Sequence, residues 1–132
     1  MYNLKRAVAR HRVAAVIIVL SFAVFFNCFG FPIYNFEKTW EPTITIEYFL
    51  LSVLSFGYIG SGLALVFPQK RYWFILVLLL ALIGAGMVCR FLLEFGEVSN
   101  TYNFTLPNIF VHFFAGGLLG SLSWLYVLRY EI

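Results

Sequence analysis

The side chains able to do chemistry are few, and they cluster by position. Arg90 and Glu94 stand four residues apart, with Glu97 seven residues past Arg90, so all three share one helical face. Glu47, Asn27, Asn108 and His112 complete the set, together with two cysteines, Cys28 and Cys89. Arg90 is the most telling. A charge held on a helix in hydrocarbon costs roughly 2.5–3.5 kcal/mol, so it faces a bundle interior and is paired. One reading has Arg90 reach the headgroup level and pair with Glu94. The other makes Arg90 the fixed positive charge of an anion or headgroup site, oriented by Glu94 or Glu47.

The remaining polar residues have structural readings of their own. His112 stands four residues before Gly116 and shares its face, which suits an interhelical hydrogen bond. His11 is the only other histidine and lies at the far end of the chain's apolar runs, so paired-histidine haem ligation within one chain is excluded. His112, Glu47 and Glu94 have no recognised metal-ligand spacing, and no metal or cofactor is expected. Glu47 follows Thr43 and Thr45 at a helix start, where the dipole favours a carboxylate. Asn108, after Thr105 and Pro107, fits the entry of another helix. Cys28 and Cys89 form no CxxC pattern and read as small buried thiols. Asn103-Phe104-Thr105 is a glycosylation sequon, relevant only to a chain that passes through a secretory compartment.

No P-loop, nucleophile elbow, HExxH or dinucleotide-binding pattern is present. A small multidrug-type exchanger centres on a carboxylate in its first span, and no acid stands in the first apolar run here. Nothing in the motifs marks an enzyme.

The elements that must position these residues are apolar rods. Of 132 residues, 62% are hydrophobic, 20% aromatic and 11% charged, and there is no Asp. A soluble domain carries about a quarter charged residues. The excess apolar surface must face lipid or protein. A membrane span needs about 20 mostly apolar residues. Val13–Ile33, Thr45–Phe67, Tyr72–Leu93 and Pro107–Leu128 qualify, and Pro32, Pro42, Pro68 and Pro107 fall at their ends. The first run is too long for a signal peptide and lacks a small-residue cleavage site, so it reads as a retained helix. The expected fold is all-α: one domain, a polytopic antiparallel four-helix transmembrane bundle. The short connections make consecutive spans antiparallel neighbours.

Lys5, Arg6, Arg10, Arg12, Lys70, Arg71 and Arg129 all fall on one side of the spans, and the opposite loops hold only Lys38. The positive-inside rule then puts both termini in the cytoplasm, with the cytoplasmic (inner) membrane as the default location. Basic residues at span ends need no nucleic-acid partner to explain them. Trp40 on the outer side, and Trp73 and Trp124 on the inner side, suit the two interfaces. Arg90, Glu94, Glu47, His112, Asn108 and Asn27 all fall in the outer third.

In lipid, helices associate through small residues. Such faces are Gly116 and Gly120 in span four, Gly57 with Ser61 and Gly60 with Ala64 in span two, and Ala81 with Ala85 and Cys89 in span three. Span one offers Ala14, Ser21 and Cys28, with Asn27 above Ala23. The Gly116–Gly120 face serves either a tight bundle or a dimer. Tyr34-Asn35-Phe36 recurs as Tyr102-Asn103-Phe104, a faint echo between the two halves.

Two functional expectations follow. One is a non-enzymatic subunit, assembly factor or regulator packing against a membrane partner or itself. The other is a small transporter or a lipid-headgroup or anion-binding protein with an outward polar site around Arg90.

Overall fold

The computed structural model describes residues 2–31, 46–68 and 71–130. The helices are α1 (Tyr2–Arg10), α2 (Arg12–Phe29), α3 (Ile46–Val66), α4 (Tyr72–Leu93), α5 (Val98–Asn103) and α6 (Leu106–Tyr130). There is no strand among the described residues. The helices α2, α3, α4 and α6 are long and apolar enough to cross a membrane. The expectations resting on Pro32, Lys38, Trp40, Pro42, Thr43, Thr45, Lys70 and the Tyr34-Asn35-Phe36 echo lie outside the described residues.

Two helices have no counterpart among the expected spans. The basic arm forms α1, because Leu4 and Val8 are four apart and give one face an apolar edge. Val8 is half-buried where α1 meets α3. The chain breaks at His11 (φ −120°, ψ 42°), yet the bonds from His11 N to Ala7 O (3.0 Å) and from Ala15 N to His11 O (2.9 Å) hold across it. It is therefore a kink and not a loop. At the other end of the bundle, α4 stops at Leu93, and Gly96 takes φ +84°, a left-handed conformation that glycine adopts without steric penalty. The chain then enters the short helix α5. The Asn100 side-chain amide donates to Phe91 O (3.1 Å) and Glu94 O (2.7 Å), capping carbonyls that the end of α4 would leave open.

Helix pairing follows the glycines. The most extensive seam is α3 with α6, two helices distant in sequence. Gly60 lies directly against the Gly120 backbone, and a Cβ on Gly60 would come within 2.9 Å of Ser123 Cβ. Ser123 Oγ donates to Gly57 O (2.6 Å), which leaves Ser61 Oγ to donate to Ser123 Oγ (2.7 Å). Next comes α2 with α4, where Gly86 packs onto Val24 and Asn27. Leu79 and Ile83 of α4 fill the notches at Gly120 and Gly116 of α6, and Val19 of α2 fills the one at Gly62 of α3. Phe56, Ile59, Leu63, Ile75, Leu79 and Ile83 form the solvent-free centre.

The packing bears on several expectations. Consecutive spans are not all neighbours: α3 and α4 barely touch, because the close approaches at Gly60 and Gly86 pair each of them with another helix. The Gly116–Gly120 face is filled from within the chain, by Phe56, Ile83 and Leu79. Within the bundle Gly86 makes the close contact of α4, while Ala81 and Ala85 are exposed on its outward face. Ala64 is buried, and Gly57 has open space over its Cα. Trp124 is buried beside Tyr72 and so is no interfacial anchor, whereas Trp73 is exposed.

Candidate functional site

The polar residues gather at the end of the bundle where α2 and α4 finish and α3 and α6 begin. α2 ends at Phe29, and the Gly30 N–H closes the last turn on Phe26 O (2.6 Å). This places Phe31, fully buried, with its ring 4.6 Å from Phe104 and 5.2 Å from His112. Pro107 sits in the first turn of α6, where its missing N–H leaves no helix bond unmade. Asn108 and His112 then stand one turn apart on a buried face.

Asn27, Asn108 and His112 are all fully buried. Asn27 Nδ2 donates to Ala23 O (2.7 Å) on its own helix. That bond fixes the amide orientation and turns Oδ1 toward His112 Nε2, 2.8 Å away. A carbonyl oxygen only accepts, so Nε2 carries the proton of this bond. Rings close the site: Phe31 stands edge-on to the imidazole, and Phe56 lies 5.7 Å from it. Gly86 allows this, since a Cβ there would collide with Asn27. Asn108 Nδ2 donates to Asn103 O (2.6 Å), tying α6 to the end of α5, while Asn108 Oδ1 is buried without a partner.

Arg90 and Glu94 form a separate unit. Their ion pair spans 2.6 Å on one face of α4, with side chains 18% and 25% exposed. A cation in the last helical turn also suits the dipole. Arg90 Nε is buried and makes no hydrogen bond. Glu47 is exposed in the first turn of α3. The six candidate residues thus divide into a buried Asn27–His112 bond with Asn108 beside it, a half-covered Arg90–Glu94 pair, and an outlying Glu47. Among the described residues, no three of His, Cys, Asp and Glu come together to hold a metal ion.

Sequence reasoning did not single out Asn100, Phe31, Phe56 or Phe104. An Asn seven residues beyond a predicted helix end is a usable sign of capping; the aromatic residues are too numerous for any one to stand out. Asn103, noted as a glycosylation acceptor, is buried, with its carbonyl bonded to Asn108, so the sequon is not presented for modification. Cys28 is buried, but Cys89 is exposed, against the expectation of two buried thiols. Both are free and line one open groove with Leu20, Ser21 and Val24. A second groove lies over Met87, Phe91, Phe104 and Phe113, and a third opens at the opposite end of the bundle. None of these three is lined by Arg90, Glu94, Glu47, His112, Asn108 or Asn27.

The four long apolar helices are candidate membrane spans, compatible with a small multi-pass membrane protein. Comparison with protein-family models, with curated proteins and with solved structures finds no match for the chain.

Proposed function

We propose that this chain is a non-enzymatic membrane subunit, assembly factor or regulator that packs against a membrane-spanning partner or a second copy of itself. In this reading it is an antiparallel bundle in the cytoplasmic membrane, with both termini in the cytoplasm. The observation that carries it is the outward face of α4. Ala81, Ala85 and Cys89 are exposed at four-residue spacing, between large exposed side chains such as Val77 and Val88. Small residues are what a second helix needs for close approach in lipid. The polar residues support the reading as well, because their bonds tie the bundle's own elements together.

The test is purification in mild detergent with and without Ala85→Leu. The unaltered chain should emerge with a stoichiometric partner or as a defined oligomer. Ala85→Leu should release it while leaving the bundle's own melting unchanged. Recovery as a monomer in both cases would overturn the proposal.

One observation favours a second reading, an anion or lipid-headgroup site used for transport or binding. Arg90 keeps a buried Nε without a bond, so its guanidinium has capacity beyond Glu94. Under that reading Arg90→Lys abolishes function at normal expression, because a point charge replaces a planar fork. Under the first reading Arg90→Lys leaves partner capture intact.

A further inference from the structure

The groove at the opposite end of the bundle has a different chemistry from anything at the Asn27–His112 site. It is a cavity of about 210 Å³ where α1 crosses the end of α3 beside the end of α6. Its walls are Val8 of α1, Leu65 of α3, and Val127 and Leu128 of α6. Two cations line it, Lys5 from α1 and Arg12 from the first turn of α2. They flank the kink at His11 and, being seven residues apart, lie near one helical face, so both reach the same opening. No acidic residue is among the described residues lining it.

We propose that this cavity binds one anionic phospholipid, with the headgroup phosphate between Lys5 and Arg12 and the glycerol end of an acyl chain against Val8, Leu65 and Val127. Three features select that ligand. The two cations, with no acid among the described lining residues, favour a net negative group over a zwitterion, which would bring its own cation. The apolar walls favour a chain-bearing phosphate over a soluble one. The volume is below the roughly 300–1,000 Å³ of sites that enclose a whole small molecule, so most of the ligand must extend outside. Leu4, Val13 and Ile17, near Lys5 and Arg12 in the sequence, are exposed apolar side chains. This inference is independent of the α4 face and survives the failure of the function proposed above.

The test uses the full chain in detergent micelles doped with equal amounts of phosphatidylglycerol and phosphatidylcholine of matched acyl chains, read by native mass spectrometry. One phosphatidylglycerol should remain bound in preference to phosphatidylcholine. Lys5→Gln and Arg12→Gln should each reduce that preference about fivefold, and together about thirtyfold. Arg10→Gln, exposed and outside the cavity, should leave it unchanged. Val127→Phe fills the apolar wall without touching charge and should also expel the lipid. Equal retention of the two lipids overturns the proposal, as does unchanged retention in the double variant or in Val127→Phe. A loss in Arg10→Gln as large as in Lys5→Gln would show surface charge alone. Competition by glycerol phosphate as effective as by the lipid would show a soluble-anion site in its place.

Discussion

Gly60→Ala and Gly57→Ala are the same chemical change on the same helix, three residues apart, and the structure expects opposite outcomes. At Gly57 a Cβ would meet nothing within 4 Å. Replacing a helical glycine by alanine there should stabilise by up to about 1 kcal/mol. At Gly60 the new Cβ would run into the backbone carbonyl of Gly120, with Ser123 Cβ 2.9 Å away. A backbone carbonyl has no rotamer to move to, so α3 and α6 must separate. Overpacking of this kind costs roughly 1–3 kcal/mol, and a rigid neighbour puts it at the upper end. Separation also strains the Ser61–Ser123 and Ser123–Gly57 bonds, each worth about 0.6 kcal/mol between membrane helices. After the gain in helix propensity, Gly60→Ala should destabilise by about 2–3 kcal/mol. The two variants should therefore differ by about 3 kcal/mol in reversible SDS unfolding from mixed micelles, followed by tryptophan fluorescence. Trp124 is a suitable reporter, being buried in the core beside Tyr72. Equal stability of the two variants would refute the α3–α6 seam as described.

One further outcome follows from the same structure and one from the distribution of charge along the sequence. A double-mutant cycle on Asn27→Ala and His112→Ala, read by the same unfolding assay, should give a coupling of about 0.6 kcal/mol and at most about 1.7, the range for interhelical hydrogen bonds in a membrane. Additive single effects would mean that the 2.8 Å bond contributes nothing. For orientation, Pro68→Cys in a chain carrying Cys28→Ala and Cys89→Ala should react with a membrane-impermeant maleimide only after cells are opened. Labelling from outside intact cells would reverse the proposed topology.

The long helices were legible because each is an apolar run bounded by proline or charge. The expected ends agree with those of α4 throughout and differ by only a residue or two at the described ends of α3 and α6. The first run was placed slightly late and long, since α2 already begins at Arg12 and ends at Phe29. α1 escaped notice because its apolar edge consists of Leu4 and Val8 amid charges, and α5 because six residues carry no period. Pairing was harder to read. Gly57–Ser61, Gly60–Ala64, Gly116–Gly120 and Ala81–Ala85 are equivalent as patterns. Only the packed chain distinguishes Gly60, pressed on a backbone, from Gly57, which is open, and Gly86 from the exposed Ala85. The same holds for the site. Depth along each helix brought Asn27 and His112 to one level, but only the rotation of α2 and α6 makes them bond and leaves Glu47 outside.

The two ends of the bundle differ in a way that bears on where binding occurs. At the Asn27–His112 end the polar groups mostly bond back into the chain: an amide to Ala23, a histidine to that amide, another amide to Asn103, an arginine to a glutamate one turn on. Buried groups so engaged stabilise the packing, and a ligand would have to break those bonds to use them. At the basic end Lys5 and Arg12 are exposed and line an open cavity with apolar walls. Cations facing an opening can accept a phosphate without giving up an internal bond. The proposed lipid site therefore draws on the basic end rather than on the polar cluster, whose cation among the described residues, Arg90, is held by Glu94. If so, removing positive charge at Lys5 should weaken lipid retention without changing bundle stability, whereas disrupting Asn27 should weaken the bundle without changing which lipid it keeps.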